Sequence, residues 1–278
     1  MKNKSLTVHT IVKNEEQWIW YALMSVIDSV DKILIFDTDS SDRTVAIIKN
    51  IRSAKIIFEQ KGAVNAVGLR RLRQEQLERT STDWFMIVDG DEIWPKATLA
   101  ELKDLINGAA IDNYGVAMRA WNLIGDLYHF HPESEDYYWP HAPKGFKGWI
   151  NLRAINRKVP GLHLKGSYPL EAYCDKKNIP LQNYGSEKLL FGQRRYFHMS
   201  YLPRSSVKFK GKLDLKRGTK KIPEIGRHLN KNISFPEVFY LNRPVIIPNC
   251  WIKPSFGSKF KSTLLTPLKI IKRKVFKY

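Results

Sequence analysis

Trp84 to Trp94 reads Trp-Phe-Met-Ile-Val-Asp-Gly-Asp-Glu-Ile-Trp. An apolar run, Phe85 to Val88, stops at three carboxylates, Asp89, Asp91 and Glu92. Runs of this length are strands buried on both faces of a sheet. Negative charge crowded at the end of such a strand is costly, because each carboxylate raises the cost of ionising the next. A divalent cation and a phosphorylated ligand would relieve that cost. Oxygen ligands on a short turn suit Mg²⁺ or Mn²⁺, which keep several positions for water and phosphate. A solvated acidic turn ahead of a helix is the plainer alternative.

The neighbouring segments alternate strand and helix patterns. Leu6 to Val12 is rich in β-formers, and Asn14, Glu15 and Glu16 look like a helix start, with Trp18, Tyr21, Ala22, Ser25 and Val26 at helical spacing. Lys32 to Phe36 is a second strand, Asp37 to Asp42 a polar turn, Thr44 to Ile51 a helix and Ala54 to Phe58 a third strand. A helix over about Ala63 to Arg79 leads to the strand with the acidic end, and an amphipathic helix follows Pro95. This succession predicts an α/β fold with a mostly parallel, Rossmann-like sheet and helices on both faces. Three polar clusters, Lys13-Asn14-Glu15, Asp37 to Asp42 and Asp89 to Glu92, fall at strand carboxyl ends, where such sheets bind ligands.

Past Asn113 the pattern changes. Tyr114 to Leu123 and Ile150 to Asn156 read as strands, and Tyr128 to Trp149 between them as a long loop or lid rich in aromatic residues and His. His129, His131 and His141 lack zinc-site spacing and are expected to line that lid with Tyr137, Tyr138, Trp139 and Trp149.

Charge is distributed unevenly. The net +19 resolves into −1 over residues 1–107, +4 over 108–200 and +16 over 201–278. A cationic C-terminal segment points to an anionic partner, either a phospholipid surface, a polyphosphate or a nucleic acid. The acidic strand ends argue against nucleic acid. Leu268, Ile271, Val275 and Phe276 after Pro267 would form the apolar face of a short basic helix, which either lies on a membrane surface or packs on the domain. No apolar stretch approaches the roughly 20 residues that span a bilayer. Met1 to Thr7 lacks the apolar core of a secretory signal, and Cys174 and Cys250 stand far apart without a CxxC, so free thiols in a reducing cytosol are expected.

Taken in order, these segments resemble the family 2 glycosyltransferases, inverting enzymes of the GT-A fold that use a nucleotide-diphosphate sugar and a divalent metal. Val8-His9-Thr10-Ile11-Val12-Lys13-Asn14-Glu15-Glu16 is similar to the family's opening strand and Asn-Glu-Glu turn. Ile35 to Thr44 is similar to its Asp-x-Gly-Ser-Thr-Asp-Gly-Thr loop, although Asp39 and Arg43 stand where the family usually has Gly. Asp89-Gly90-Asp91 matches its Asp-x-Asp element. The resemblance implies a catalytic domain over residues 1–200, with a nucleotide-sugar half to about 110 and an acceptor half over 111–200. An irregular basic C-terminal extension, 201–278, follows.

The resemblance also implies roles. Thr10, Val12 and Glu15 would border the nucleotide, Asp37 would accept a hydrogen bond from base or ribose, and Asp89 would contact ribose or the metal's shell. Asp91 would bind Mn²⁺ or Mg²⁺. His198, after an aromatic strand-like run, fits the downstream His that completes the metal shell in several GT-A enzymes, though a His among apolar residues also packs in ordinary cores. Glu171, with Asp175 behind it, is the candidate general base. Arg70 or Arg71 either assists the phosphates or is solvated, and solvation is favoured. The expected activity is transfer from a nucleotide-diphosphate sugar to a glycan or lipid-linked acceptor, building cell-surface glycan from the cytosolic side of the membrane. The competing readings are a nucleic-acid-binding protein and a GT-A domain that binds a nucleotide sugar without turnover.

Overall fold

A computed structural model describes residues 3–202, 224–251 and 253–276. Four parallel strands form its base: β1 (Leu6–Val12), β2 (Lys32–Asp37), β3 (Ile56–Gln60) and β4 (Trp84–Ile87), in spatial order β3-β2-β1-β4. Side chains alternate across them as strand geometry requires. Ile33 and Ile35 of β2, with Trp84, Met86 and Val88, join the core that holds α1 (Ile19–Val26), α2 (Thr44–Asn50) and α4 (Lys96–Gly108). Leu34 and Phe36 instead meet Leu72 of α3 (Ala66–Glu78), while Phe85 and Ile87 meet Leu77 of the same helix. Burial on both faces explains why these strands are continuous apolar runs.

Beyond β4 the sheet turns antiparallel. β8 (Trp149–Asn156) lies between β4 and β6 (Gly115–Ile124), antiparallel to both. The long β11 (Leu189–Tyr201) runs parallel to β6 and also pairs antiparallel with the two-residue β5 (Glu92–Ile93), placing His198 opposite Glu92. β9 (His163–Lys165) and β10 (Ala172–Cys174) form a separate hairpin.

The sequence expectations hold for the alternating first half, with shifted boundaries. The first helix starts at Ile19, because Asn14 adopts a left-handed φ of 53° and residues 16–18 form a turn. The expected lid contains a short strand, β7 (His129–Phe130), and one helical turn, α5 (Glu133–Asp136). β7 pairs with β12 (Arg227–His228). Residues 224–251 pack on the first half: Tyr21 Oη donates to Pro248 O at 2.8 Å, and Val238, Phe239, Ile247 and Cys250 join the main core. The terminal helix, α6 (Phe256–Phe276), begins well before Pro267 and runs through it.

Candidate active site

The loops at the carboxyl ends of β1 and β2 are stitched together by their own polar side chains. Asn14 Oδ1 accepts the Ser41 and Asp42 amides, at 2.7 and 3.3 Å, and the Asn14 amide donates to Ser40 Oγ. Asp42 accepts the Thr44 amide at the start of α2 and also the Glu16 amide. The β4 turn approaches closely at Gly90, where a Cβ would lie 3.2 Å from Val12 Cγ2 and 3.3 Å from the Glu15 side chain. A side chain there would press on Val12 and Glu15, which would have to give by a few tenths of an ångström.

Thr10 and Val12 are buried and shape this edge through the backbone. Thr10 Oγ1 donates to Val88 O, and Val12 O accepts both the amide and the hydroxyl of Thr38. Glu15 is buried beside Gly90, and its amide donates to Thr44 Oγ1. Asp37 is fully buried; one carboxylate oxygen accepts the Ser40 amide and the other has no donor among the described residues. A buried acceptor left open at a strand end is expensive, and a ligand N–H or O–H would satisfy it. Asp39 takes a left-handed φ of 73° where the related loop carries Gly, whereas Arg43, at φ −78°, needs no such conformation.

Asp89 and Asp91 diverge. Asp91 Oδ2 lies 3.3 Å from His198 Nε2, a contact set by the β5–β11 pairing and by the Met199 amide donating to Asp91 O. Asp89 turns toward two arginines, 3.8 Å from Arg73 Nη2 and 3.6 Å from Arg153 Nη2. Adjacent ligands of an octahedral cation bound at ~2.1 Å stand ~3 Å apart, so the Asp91–His198 pair fits two positions on one shell. Among the described residues no cluster of three or more His, Cys, Asp or Glu side chains is assembled to hold a cation. A pair that leaves the other positions to phosphate and water suits Mg²⁺ or Mn²⁺.

Arg73 and Arg153 are residues that sequence reasoning missed, and Glu92, read there as one of three carboxylates at the strand end, pairs with Arg153. Arg73 reaches the site from α3, with Nε 3.5 Å from Glu171 Oε1. Burial opposes its charge, but Asp89 and Glu171 raise its pKa. Arg153 is paired with Glu92 and donates to Tyr196 Oη at 3.0 Å. Burial pushes the Glu92 carboxyl up to about 7 against the pull of Arg153. A charged residue within the apolar strand Trp149–Asn156 was the readable sign of this pair.

Beside the β4 turn lies a cleft of about 310 Å³ lined by Arg73, Arg153, Glu171, Tyr173, Tyr137 and Trp139, among others. Among the described residues, buried Glu171 Oε2 has no donor and buried Arg73 Nη1 no acceptor. Asp175 is used differently: its carboxylate accepts the Lys177 and Ile179 amides and the Tyr184 hydroxyl, closing its own turn. Of the expected aromatic lid, Tyr137 and Trp139 reach the cleft, Trp149 packs against Tyr137, and Tyr138 is exposed. His129 and His131 turn away, to Asp126 and to Glu133 and Glu224.

A sequence profile described as glycosyl transferase family 2 matches residues 7–158. No curated protein matches the chain. Among solved structures, S. aureus TarS 1-349 in complex with UDP-GlcNAc is 13% identical, with a TM-score of 0.50 over 74% of this chain and 62% of that one. S. aureus TarS 1-349 alone is 14% identical, with a TM-score of 0.45 over 70% and 60%. The mannosyltransferase PcManGT from Pyrobaculum calidifontis, in complex with GDP-Man and Mn²⁺, is 18% identical, with a TM-score of 0.39 over 57% and 46%. The chain thus spans less than two thirds of the length of these relatives. At such identities the likeness describes the fold, which is of the GT-A type.

Proposed function

The chain belongs to glycosyl transferase family 2, and on that premise we propose that it is an active, inverting transferase. It moves a sugar from a nucleotide-diphosphate sugar to a hydroxyl of a glycan or lipid-linked acceptor, on the cytosolic side of a membrane. The observation that carries this reading is the convergence, at one sheet edge, of an open buried Asp37 oxygen, the Asp91–His198 pair and a cleft holding Glu171.

Asp37 accepts a hydrogen bond from the nucleoside, between the β1 and β2 loops. Asp91 and His198 would hold a divalent cation, which when bound stabilises negative charge on the departing diphosphate. Asp89 orients Arg73 and Arg153 along the boundary between the donor edge and the cleft. The acceptor hydroxyl lies in the cleft against Glu171 Oε2. Its oxygen attacks the anomeric carbon while Glu171 takes its proton. The bond from that carbon to the diphosphate oxygen breaks on the opposite face, and its electron pair leaves with the nucleoside diphosphate. Asp175, engaged in its turn, positions the β10 segment and does not accept this proton.

The test is a panel of nucleoside-diphosphate sugars, read by thermal stabilisation with and without Mn²⁺ and by release of nucleoside diphosphate. One donor should stabilise the protein in a Mn²⁺-dependent manner, since a ligand specific to the native state raises its melting point, and should then be turned over. Stabilisation without turnover with any acceptor tried would favour a binding domain. No stabilisation by any donor would refute the proposal.

A further inference from the structure

Helix α6 turns its apolar side outward. Phe256, Phe260, Leu264, Leu268, Ile271 and Val275 follow one another at spacings of three or four residues, so they share one face. Each is between 58% and 86% exposed. Contacts with the body come from the other side of the helix, about half a turn away. There Thr266 Oγ1 accepts the Ile225 amide at 2.8 Å, Lys269 Nζ lies 3.3 Å from Glu224 Oε2, and Arg273 pairs with the same carboxylate. Burial opposes the charge on Glu224, but His131 and Arg273 hold its carboxyl down at about 2.

This inverts the usual arrangement, in which an amphipathic helix lays its apolar stripe on the core and shows its charges to water. A stripe of six large side chains left outside marks a surface that something apolar covers. The charge identifies the cover. Residues 256–276 carry six basic side chains and no acidic one, and 201–278 carry 19 basic against 3 acidic. A proteinaceous groove would need a matching acidic rim. The surface of an anionic bilayer offers headgroup charge and acyl interior together, and a basic amphipathic helix lies in that interface. No helix among the described residues is long and apolar enough to cross a membrane.

We propose that the outward face of α6 is a membrane-docking surface that lies in the headgroup layer of an anionic phospholipid bilayer. Glu224 serves as the bracket that fixes the helix on the body with this face outward. The inference rests on the orientation of α6 and needs no nucleotide sugar, so it stands or falls apart from the proposed activity.

The experiment is flotation of the full chain with vesicles of phosphatidylcholine alone or with about 30 mol% phosphatidylglycerol, alongside its mass in solution by light scattering. The variant is Leu264→Asp/Leu268→Asp/Ile271→Asp, at positions that face away from the body. The wild type should float with the anionic vesicles and at least about tenfold less with the neutral ones. The variant should lose the anionic binding by about tenfold or more while keeping its far-ultraviolet spectrum and melting point. Failure of the wild type to float, or equal flotation of the variant, would overturn the proposal. So would a wild-type dimer that the variant dissociates, which would make a second copy the occupant.

Discussion

Asp91 Oδ2 and His198 Nε2 lie 3.3 Å apart, joined by the short pairing of β5 with β11. Asp89, two residues before Asp91, faces the opposite way, toward Arg73 and Arg153. The turn therefore separates two tasks. One aspartate meets an imidazole, and the other balances two buried guanidinium groups at the cleft.

Glu171→Gln should lower the turnover number by about 10²- to 10⁴-fold and leave donor affinity within about twofold, because it removes a proton acceptor and not a donor contact. Asp175→Asn should instead lower the melting point, since Asp175 holds three hydrogen bonds of its own turn. Steady-state kinetics and thermal unfolding of both variants make the comparison. A larger loss of turnover in Asp175→Asn at full stability would reverse the assignment.

Arg153→Met should cost about 3–5 kcal/mol, because it strands the Glu92 carboxyl in a fully buried position. Arg153→Met combined with Glu92→Gln should recover much of the loss, as removing both charges removes most of the penalty. Urea unfolding of the single and double variants gives the coupling. Additive effects would mean that the two groups do not form one unit.

His9 links stability to pH. Its Nε2 donates to Thr80 Oγ1, whose own proton goes to Gln76 O, and Nδ1 is buried with no partner among the described residues. Burial first, then Arg73 and Arg157, lowers its pKa from 6.5 to about 3. The unfolded chain therefore binds a proton that the native state refuses. The stability from a neutral His9 is complete above 6.5 and declines as pH falls toward 3, by up to about 1.4 kcal/mol per unit. His9→Gln should flatten the profile between pH 6.5 and 4.5 in urea unfolding. An unchanged slope would show that other groups set it.

Asp39→Gly should raise stability by about 0.5–1 kcal/mol, since it relieves the left-handed backbone at φ 73°. The ion pair with Lys13, 3.9 Å long and largely exposed, offers little to lose. A fall in melting point would show that the Asp39 side chain holds the loop in a way its contacts do not reveal.

Much of this fold was legible because local pattern and tertiary burial agree in the first half. Strands buried on both faces read as apolar runs, and their polar ends mark the site edge. The acidic turn after β4 stood out because carboxylates crowded at such an end are costly without a ligand, and Asp37 stood out through the resemblance of its loop. Arg73 did not, because nothing in a sequence distinguishes an arginine facing a buried carboxylate from one in water, and Arg153 left only the sign of a charge within an apolar strand. The start of α1 was misplaced because Asn14 uses its side chain to hold the β2 loop and not to cap a helix. The length of α6 was underestimated because Pro267 reads as a helix start, yet the helix passes through it.

The most direct test of the central claim is a Mn²⁺ titration followed by electron paramagnetic resonance, with a nucleoside diphosphate present. The wild type should take up one Mn²⁺ per chain with the nucleotide, and Asp91→Ala should weaken that uptake by about 100-fold or more at an unchanged melting point. Equal Mn²⁺ uptake by Asp91→Ala would contradict the account.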